Sequence, residues 1–319
     1  MPAIPTHATV WNKTKAGRFQ PVSAGESCLA FEVAGLRVNM VSAPDGPRLA
    51  VPPSIESFLS CSETAGMDFA IEWAEQIPVP PGKPLFDSGG VWTLYGCGSA
   101  YEFVFRSPAT GDAPYKAAIL DADFCCGSVL LSRTVFGGRQ TVYPLEYPLD
   151  ELLVIHRLAR GEGVEVHACG VQDNQGRGLL FVGHSGAGKS TLARLWTQQG
   201  GARILSDDRV ILRRDAAGRI IMHGTPWHGE ARLALPVSAP LHAVYFLQHG
   251  AQNEFASLEA GRAAAELIAR SFLPFHNAAG LEFSLEFFAH MVTEVPCCLF
   301  RFLPDVTAVR AIESDARVL

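Results

Sequence analysis

The stretch GLLFVGHSGAGKST (178–191) decides how the second half of this chain is read. Within it, Gly183, His184, Ser185, Gly186, Ala187, Gly188, Lys189 and Ser190 fit G-x-x-x-x-G-K-[ST] at every defined position, and Thr191 follows. An apolar run, GLLFVG, precedes the loop, and a helix-like run, STLARLWTQQ (190–199), follows it. Glycines let the backbone turn its N–H groups onto an anion with no Cβ in the way, and the helix behind aims its positive end at the same point. The spacing therefore predicts a phosphate cradle over residues 183–191. Lys189 is expected to bridge the β- and γ-phosphates of ATP, and the Ser190 hydroxyl to ligate Mg²⁺.

Outward from the loop, strand and helix signals alternate: VEVHACGV (164–171), GLLFVG, the loop, TLARLWTQQ, ARIL, then RVILRR. That alternation is an α/β or α+β pattern. The pair Asp207-Asp208 follows ARIL, the position from which a parallel sheet delivers acidic residues beside a bound phosphate. Adjacent carboxylates at a strand end point different ways, so one suits orienting Mg²⁺ and the other taking a proton from a hydroxyl. Further on, HGTPWHGEA (223–231) has two readings. Glu230 completes a magnesium shell while Trp227 and His228 touch substrate, or a Pro-Trp turn plugs the core. In ELIARSFLPF (266–275) a helix is expected to end before Pro274, with Arg270 either a clamp on the γ-phosphate or an ordinary surface arginine.

The texture changes at YPLEYPLDELLVIHRLARGEG (143–163), where Pro148 opens a helix whose apolar face is Leu149, Leu152, Leu153, Ile155 and Leu158, ended by Gly161 or Gly163. This sets a boundary between a first domain, 1–147, and a catalytic domain, 148–319. The first domain reads as β-rich. VWTLYGCGSAYEFVF (91–105) alternates in the manner of short antiparallel strands, and CLAFEVAGLRVNMV (28–41) does so around a glycine, as in a hairpin or a bulged strand. Four prolines in QIPVPPGKPLF (76–86) make that stretch an extended connection.

With 48% hydrophobic and 18% charged residues the 319-residue chain can bury a large core, and its net charge of −6 offers nucleic acid no global field. The stretch 1–19 has no apolar signal-like core and no apolar run is long enough to span a bilayer, so a cytoplasmic protein without membrane contact is expected. Eight cysteines without a C-x-x-C pair read as buried reduced thiols rather than a zinc site.

Taken together, VEVHACGV with His167, GHSGAGKST with Lys189 and Ser190, and ILSDDRV with Asp207 and Asp208 resemble the HPr kinase/phosphorylase family, whose nucleotide-binding core is shared with phosphoenolpyruvate carboxykinase. The resemblance covers about residues 150–215. It implies a P-loop catalytic domain behind a β-rich one, with Asp208 as the proton acceptor, His167 orienting that carboxylate and Ser190 on magnesium. The glycine-rich signature that the family carries downstream is absent, and HGTPWHGEA stands in its place, so bifunctional regulation of HPr is not expected. The expectation is a kinase transferring the γ-phosphate of ATP to a hydroxyl, a serine of a peptide or small protein held by the first domain. A kinase of a free hydroxy compound is the near alternative, and an NTP-driven switch or assembly protein the distant one. Relatives commonly assemble, so a homo-oligomer is also expected.

Overall fold

Alternation in 28–41 becomes a hairpin: β1 (Ser27–Val33) and β2 (Leu36–Ser42) pair antiparallel across Ala34 and Gly35. Both turn residues have positive φ, 53° and 76°, the geometry that matches the right-handed twist of two strands joined by two residues. The protein is seen here as a computed structural model, which describes residues 27–61 and 66–315. The stretch 1–19, read above as lacking a signal-like core, lies outside them.

The first sheet continues through β3 (Met67–Ala74), β4 (Phe86–Asp87), β5 (Trp92–Cys97), β6 (Ala100–Phe105), β7 (Lys116–Leu120) and β8 (Cys126–Ser132), in the order β1-β2-β3-β8-β7-β6-β5-β4. Most neighbours are antiparallel, as expected, but β3 runs parallel to both β2 and β8. Two single-turn helices, α1 (Pro53–Glu56) and α2 (Arg133–Phe136), flank it. The inward residues Phe31, Val33, Phe103, Phe105, Val129 and Leu131 form one apolar core. Helix α3 (Leu149–Leu158) closes that core with Leu149, Leu152, Leu153 and Leu158, although it follows the boundary read at 147/148. The 76–86 connection is irregular up to β4, as its prolines dictate.

The second sheet holds β9 (Val164–Gln172), β10 (Gly178–Val182), β11 (Arg203–Ser206), β12 (Arg209–Arg214), β13 (Ile220–Gly224), β14 (Ser238–His249), β15 (Glu254–Ser257) and β16 (Cys297–Phe302). Strand β9 alternates cleanly between two cores. Val164, Val166 and Ala168 join Leu180 and Val182 of β10 on one face, beneath α5 (Ala260–Ile268) and α6 (Ala278–Glu294). Cys169 and Val171 join Leu179 and Phe181 on the other, beneath α4 (Lys189–Gln199) and α7 (Val306–Glu313). With helices on both faces of one sheet and a β-rich first half, the fold is mixed α/β.

The loop strand β10 is not flanked by β11 in a parallel sheet, contrary to the reading of ARIL as its parallel neighbour. Strand β9 lies between them and is antiparallel to both, while β10 runs parallel to β14. Because two antiparallel steps restore direction, β10 and β11 still end on the same side. Helix α5 ends at Ile268, well before Pro274, because Ser271 bridges to Val166 of β9 and so takes an extended path.

The cysteines are not all buried, contrary to the reading from the sequence. Only Cys169 and Cys298 are buried; Cys28, Cys61, Cys97 and Cys126 are exposed, since they sit at strand ends and in connections. Among the described residues no helix is long and apolar enough to cross a membrane.

Glu102 on β6 is 7% exposed, its Oε1 has no hydrogen-bond partner, and burial raises its carboxyl to about 7. A carboxyl raised in the folded state costs stability as pH climbs from its unfolded value through its folded one. Glu102→Gln should therefore raise stability at pH 8, by up to roughly 3 kcal/mol, and leave it nearly unchanged at pH 4. Chemical denaturation of both proteins at the two pH values measures the difference.

Candidate active site

The loop from Gly183 to Gly188 leaves β10 and enters α4 at Lys189. Gly186 and Gly188 hold φ of +80° and +100°, and a Cβ at Gly188 would stand 2.6 Å from Cζ of Phe302. At Gly183 a Cβ would come within 2.7 Å of the Ala187 Cβ. The glycine pattern is thus demanded by the loop's own path. Lys189 folds back over the loop, its Nζ donating to the carbonyls of Gly183 at 2.7 Å and His184 at 3.2 Å. Burial, with Arg270 and Arg209 nearby, lowers its ammonium to about 8. Ser190 and Thr191 are half-buried in the first turn of α4, where helix N–H groups lack intrahelical acceptors. The side chains of His184 and Ser185 are exposed, and His249, at the end of β14, holds the loop through Nε2 to the Gly186 carbonyl at 2.8 Å.

Register explains what faces this loop. Val182 pairs with Ala168, so His167 lies one residue past the end of β10, and Arg209, first residue of β12, pairs with His167. Asp208 therefore meets the histidine: Nε2 of His167 is 3.0 Å from Oδ1 of Asp208. Burial, reinforced by Lys189, Arg209 and Arg270, lowers the imidazole to about 4, so it is neutral at pH 7. A neutral ring facing a carboxylate donates from Nε2, which leaves Nδ1 as an acceptor. The other carboxylate oxygen of Asp208 is gripped by Nη1 of Arg209.

Arg270 does come to the site. Its carbonyl accepts from the His167 N–H at 2.7 Å, and its guanidinium acts electrostatically on His167 and Lys189. Glu266 holds one end of it through Nη1, while Nε is buried without a partner. A cleft of about 70 Å³ opens beside the loop, lined by Gly183, His184, Gln248, Arg262, Glu266 and Arg270. The larger cleft, about 350 Å³, lies between the two sheets around Phe58 and His223 and includes no loop residue.

The metal set read from the sequence does not assemble as expected. Asp207 is fully buried and its carboxylate accepts three backbone N–H groups, from Gly229 at 2.9 Å, Ala231 at 2.8 Å and Leu233 at 3.3 Å. It anchors the 229–233 loop, and a Cβ at Gly229 would stand 2.9 Å from Asp207 Oδ2. Glu230 is exposed on that loop, and among the described residues no three His, Cys, Asp or Glu side chains cluster to hold a metal. Of the two readings of HGTPWHGEA, the plug holds for Trp227: it is 8% exposed and belongs to the core of the first sheet. His228 beside it is exposed.

Several residues at the site carried no signal of their own in the sequence. Arg209 stacks its guanidinium over Phe272, 4.2 Å from the ring centre, and donates from Nε to Glu151 at 2.7 Å. Glu151 lies in the helix whose leucines mark an apolar face, and Glu165 in the apolar VEVHACGV strand; neither stands out by spacing, and a charged residue inside an apolar strand is the hint such a sequence offers.

Comparison with known proteins adds a local match. The profile of the family described as SynChlorMet cassette protein ScmC matches residues 149–278, fewer than half of the chain. No curated protein matches. Among solved structures, the HPr(Ser) kinase/phosphatase from Coxiella burnetii is similar at 14% identity over 47% of this chain and 95% of that one. The TM-score is 0.27, a level at which likeness defines neither fold nor activity.

Four substitutions test the local geometry. Gly188→Ala should cost roughly 1–3 kcal/mol, from the positive φ and the contact with Phe302, whereas Gly186→Ala, with open space around it, should cost about 1 kcal/mol. Trp227→Ala should cost about 3–5 kcal/mol and His228→Ala less than about 0.5 kcal/mol. Urea denaturation reads all four.

Proposed function

We propose that the chain is an ATP-dependent phosphotransferase that moves the γ-phosphoryl group to a hydroxyl, with Asp208 as general base. The observation that carries this reading is the meeting of His167 and Asp208 at 3.0 Å on the sheet end where the glycine loop and Lys189 also lie. Lys189, Arg209 and Arg270 surround that point in a protein of net charge −6. Three cations held together and half out of water repel one another, and a polyphosphate offsets that cost.

The loop residues fit a triphosphate: the glycine cradle leaves no room for a Cβ at 183 or 188, and Lys189 is held by two loop carbonyls that a phosphate can replace. Residues 183–191 would hold the phosphates and Arg270 would turn toward the γ-phosphate. Magnesium would be held mainly by the phosphates with Ser190, since Asp207 is spent on the 229–233 loop and Glu230 stands exposed on that loop. When bound, the ion would offset charge on the transferring group.

In the transfer, the acceptor oxygen bonds to the γ-phosphorus as the bond to the β,γ-bridging oxygen breaks, and the hydroxyl proton passes to the Asp208 carboxylate. Each of its oxygens keeps a lone pair beyond those used by His167 and Arg209. His167 holds the carboxylate in place and remains neutral. The acceptor class that suits the chain is a serine of a peptide or small protein, docked on the β-rich first half; a free hydroxy compound suits the same base.

Purified protein with γ-labelled ATP, Mg²⁺, candidate peptides and free serine should yield an acceptor heavier by one phosphate. Free phosphate with no labelled acceptor under any condition would move the assignment to an NTP-hydrolysing switch. Asp208→Asn should hold ATP affinity within a few fold while lowering turnover by roughly 10²–10⁴. Lys189→Ala should weaken both, as calorimetry and transfer assays would register.

A further inference from the structure

Behind Asp208 lies a buried group of carboxyls that the transfer reaction does not use. Glu151, in the first turn of α3, is 4% exposed, and Glu165 on β9 is 1% exposed with neither carboxyl oxygen paired within hydrogen-bond geometry. Arg209 reaches toward this group from the site, through Nε to Glu151 Oε1 at 2.7 Å. The same guanidinium grips Asp208 through Nη1 and lies flat on Phe272. Arg209 is therefore fixed on three sides: a carboxylate behind, the site carboxylate in front and an aromatic face along its plane.

We propose that Glu151 is a positioning residue for this site: by holding Nε of Arg209 it fixes the guanidinium that, with His167, sets the orientation of the Asp208 carboxylate. The inference rests on the phosphotransferase reading for its kinetic consequence, but its structural part stands alone. A planar guanidinium donates along two edges at once, so an anchor on one edge fixes the donor on the other. A lysine offers no such rigid link. Burial and the neighbouring Glu151 charge hold the Glu165 carboxyl well above the usual carboxylate range, so it keeps its proton. Glu151 then faces the guanidinium without a second charged carboxylate beside it; two such charges at this depth would be prohibitive.

The placement of Glu151 follows from the first core. Leu149, Leu152, Leu153 and Leu158 seat α3 there, which presents Glu151 to the second sheet. An element folded into one half of the molecule thus fixes a side chain in the other half's site.

The test uses the full chain. In the wild-type protein the ¹⁵Nε–Hε resonance of Arg209, assigned by its loss in Arg209→Lys, should be slow to exchange with solvent. In Glu151→Gln it should shift and lose protection, and turnover should fall roughly 10- to 100-fold with KM for ATP within about threefold. Glu151→Asp should recover part of the turnover, and Glu165→Gln, a neutral group replacing a neutral one, should keep both the resonance and the rate. An unchanged Arg209 resonance in Glu151→Gln overturns the proposal, as does an equal loss in Glu165→Gln. Should Glu151→Gln fail to fold, Arg209→Lys carries the kinetic test: a rate equal to wild type overturns it. If the wild type transfers phosphate to no acceptor, the resonance still decides the positioning role, and only the kinase reading fails.

Discussion

Strand β9 pairs antiparallel with β10 along one edge and with β11 and β12 along the other, and the site depends on that register. Reversal on each side of β9 makes the strand before the glycine loop and the strand before Asp208 run in the same direction. The start of β9, with His167, then lies at their common end. One residue of slip in β9 would exchange its faces, putting His167 under α5 and α6 and breaking its contact with Asp208. The apolar alternation of Val164, Val166 and Ala168 against Cys169 and Val171 resists that slip, because each set fills a different core.

Electrostatics at this end is a balance of groups that would each be costly alone. Arg209 is shared between Glu151 and Asp208, Arg270 is held by Glu266, and Lys189 is held by loop carbonyls. Removing a single partner from such a network strands its counterpart away from water, which costs more than a surface ion pair is worth. Neutral His167 fits this setting, since a fourth positive charge beside three others would be opposed by all of them. Lys189 is the cation least committed to a carboxylate and the one best placed to exchange its partners for an anion.

Much of this was legible in the chain. The glycine loop, the strand before it, the helix after it and the carboxylate pair are short-range patterns whose physical requirements are local. The 28–41 hairpin and the 91–105 strands were legible for the same reason. Parallel pairing of β3 was not, because pairing partners far apart in sequence leave no trace in alternation. The two aspartates could not be told apart by position: Asp207 faces the amides of 229–233, a loop more than twenty residues downstream. Glu151 and Arg209 are 58 positions apart, and neither announces the other.

Trp227 gives the two halves a common fate. The loop that carries it is embedded in the core of the first sheet, and a few residues on it is tied to Asp207, the neighbour of Asp208. With α3 also seated in that core, melting either sheet would open part of the other's packing, which couples the two halves energetically. The first half is consequently not an exchangeable cassette. A chimera that replaced it at residue 148 would leave an indole and a row of leucines facing water, and any recombination that succeeds must carry α3 and the Trp227 loop along with the strands they complete.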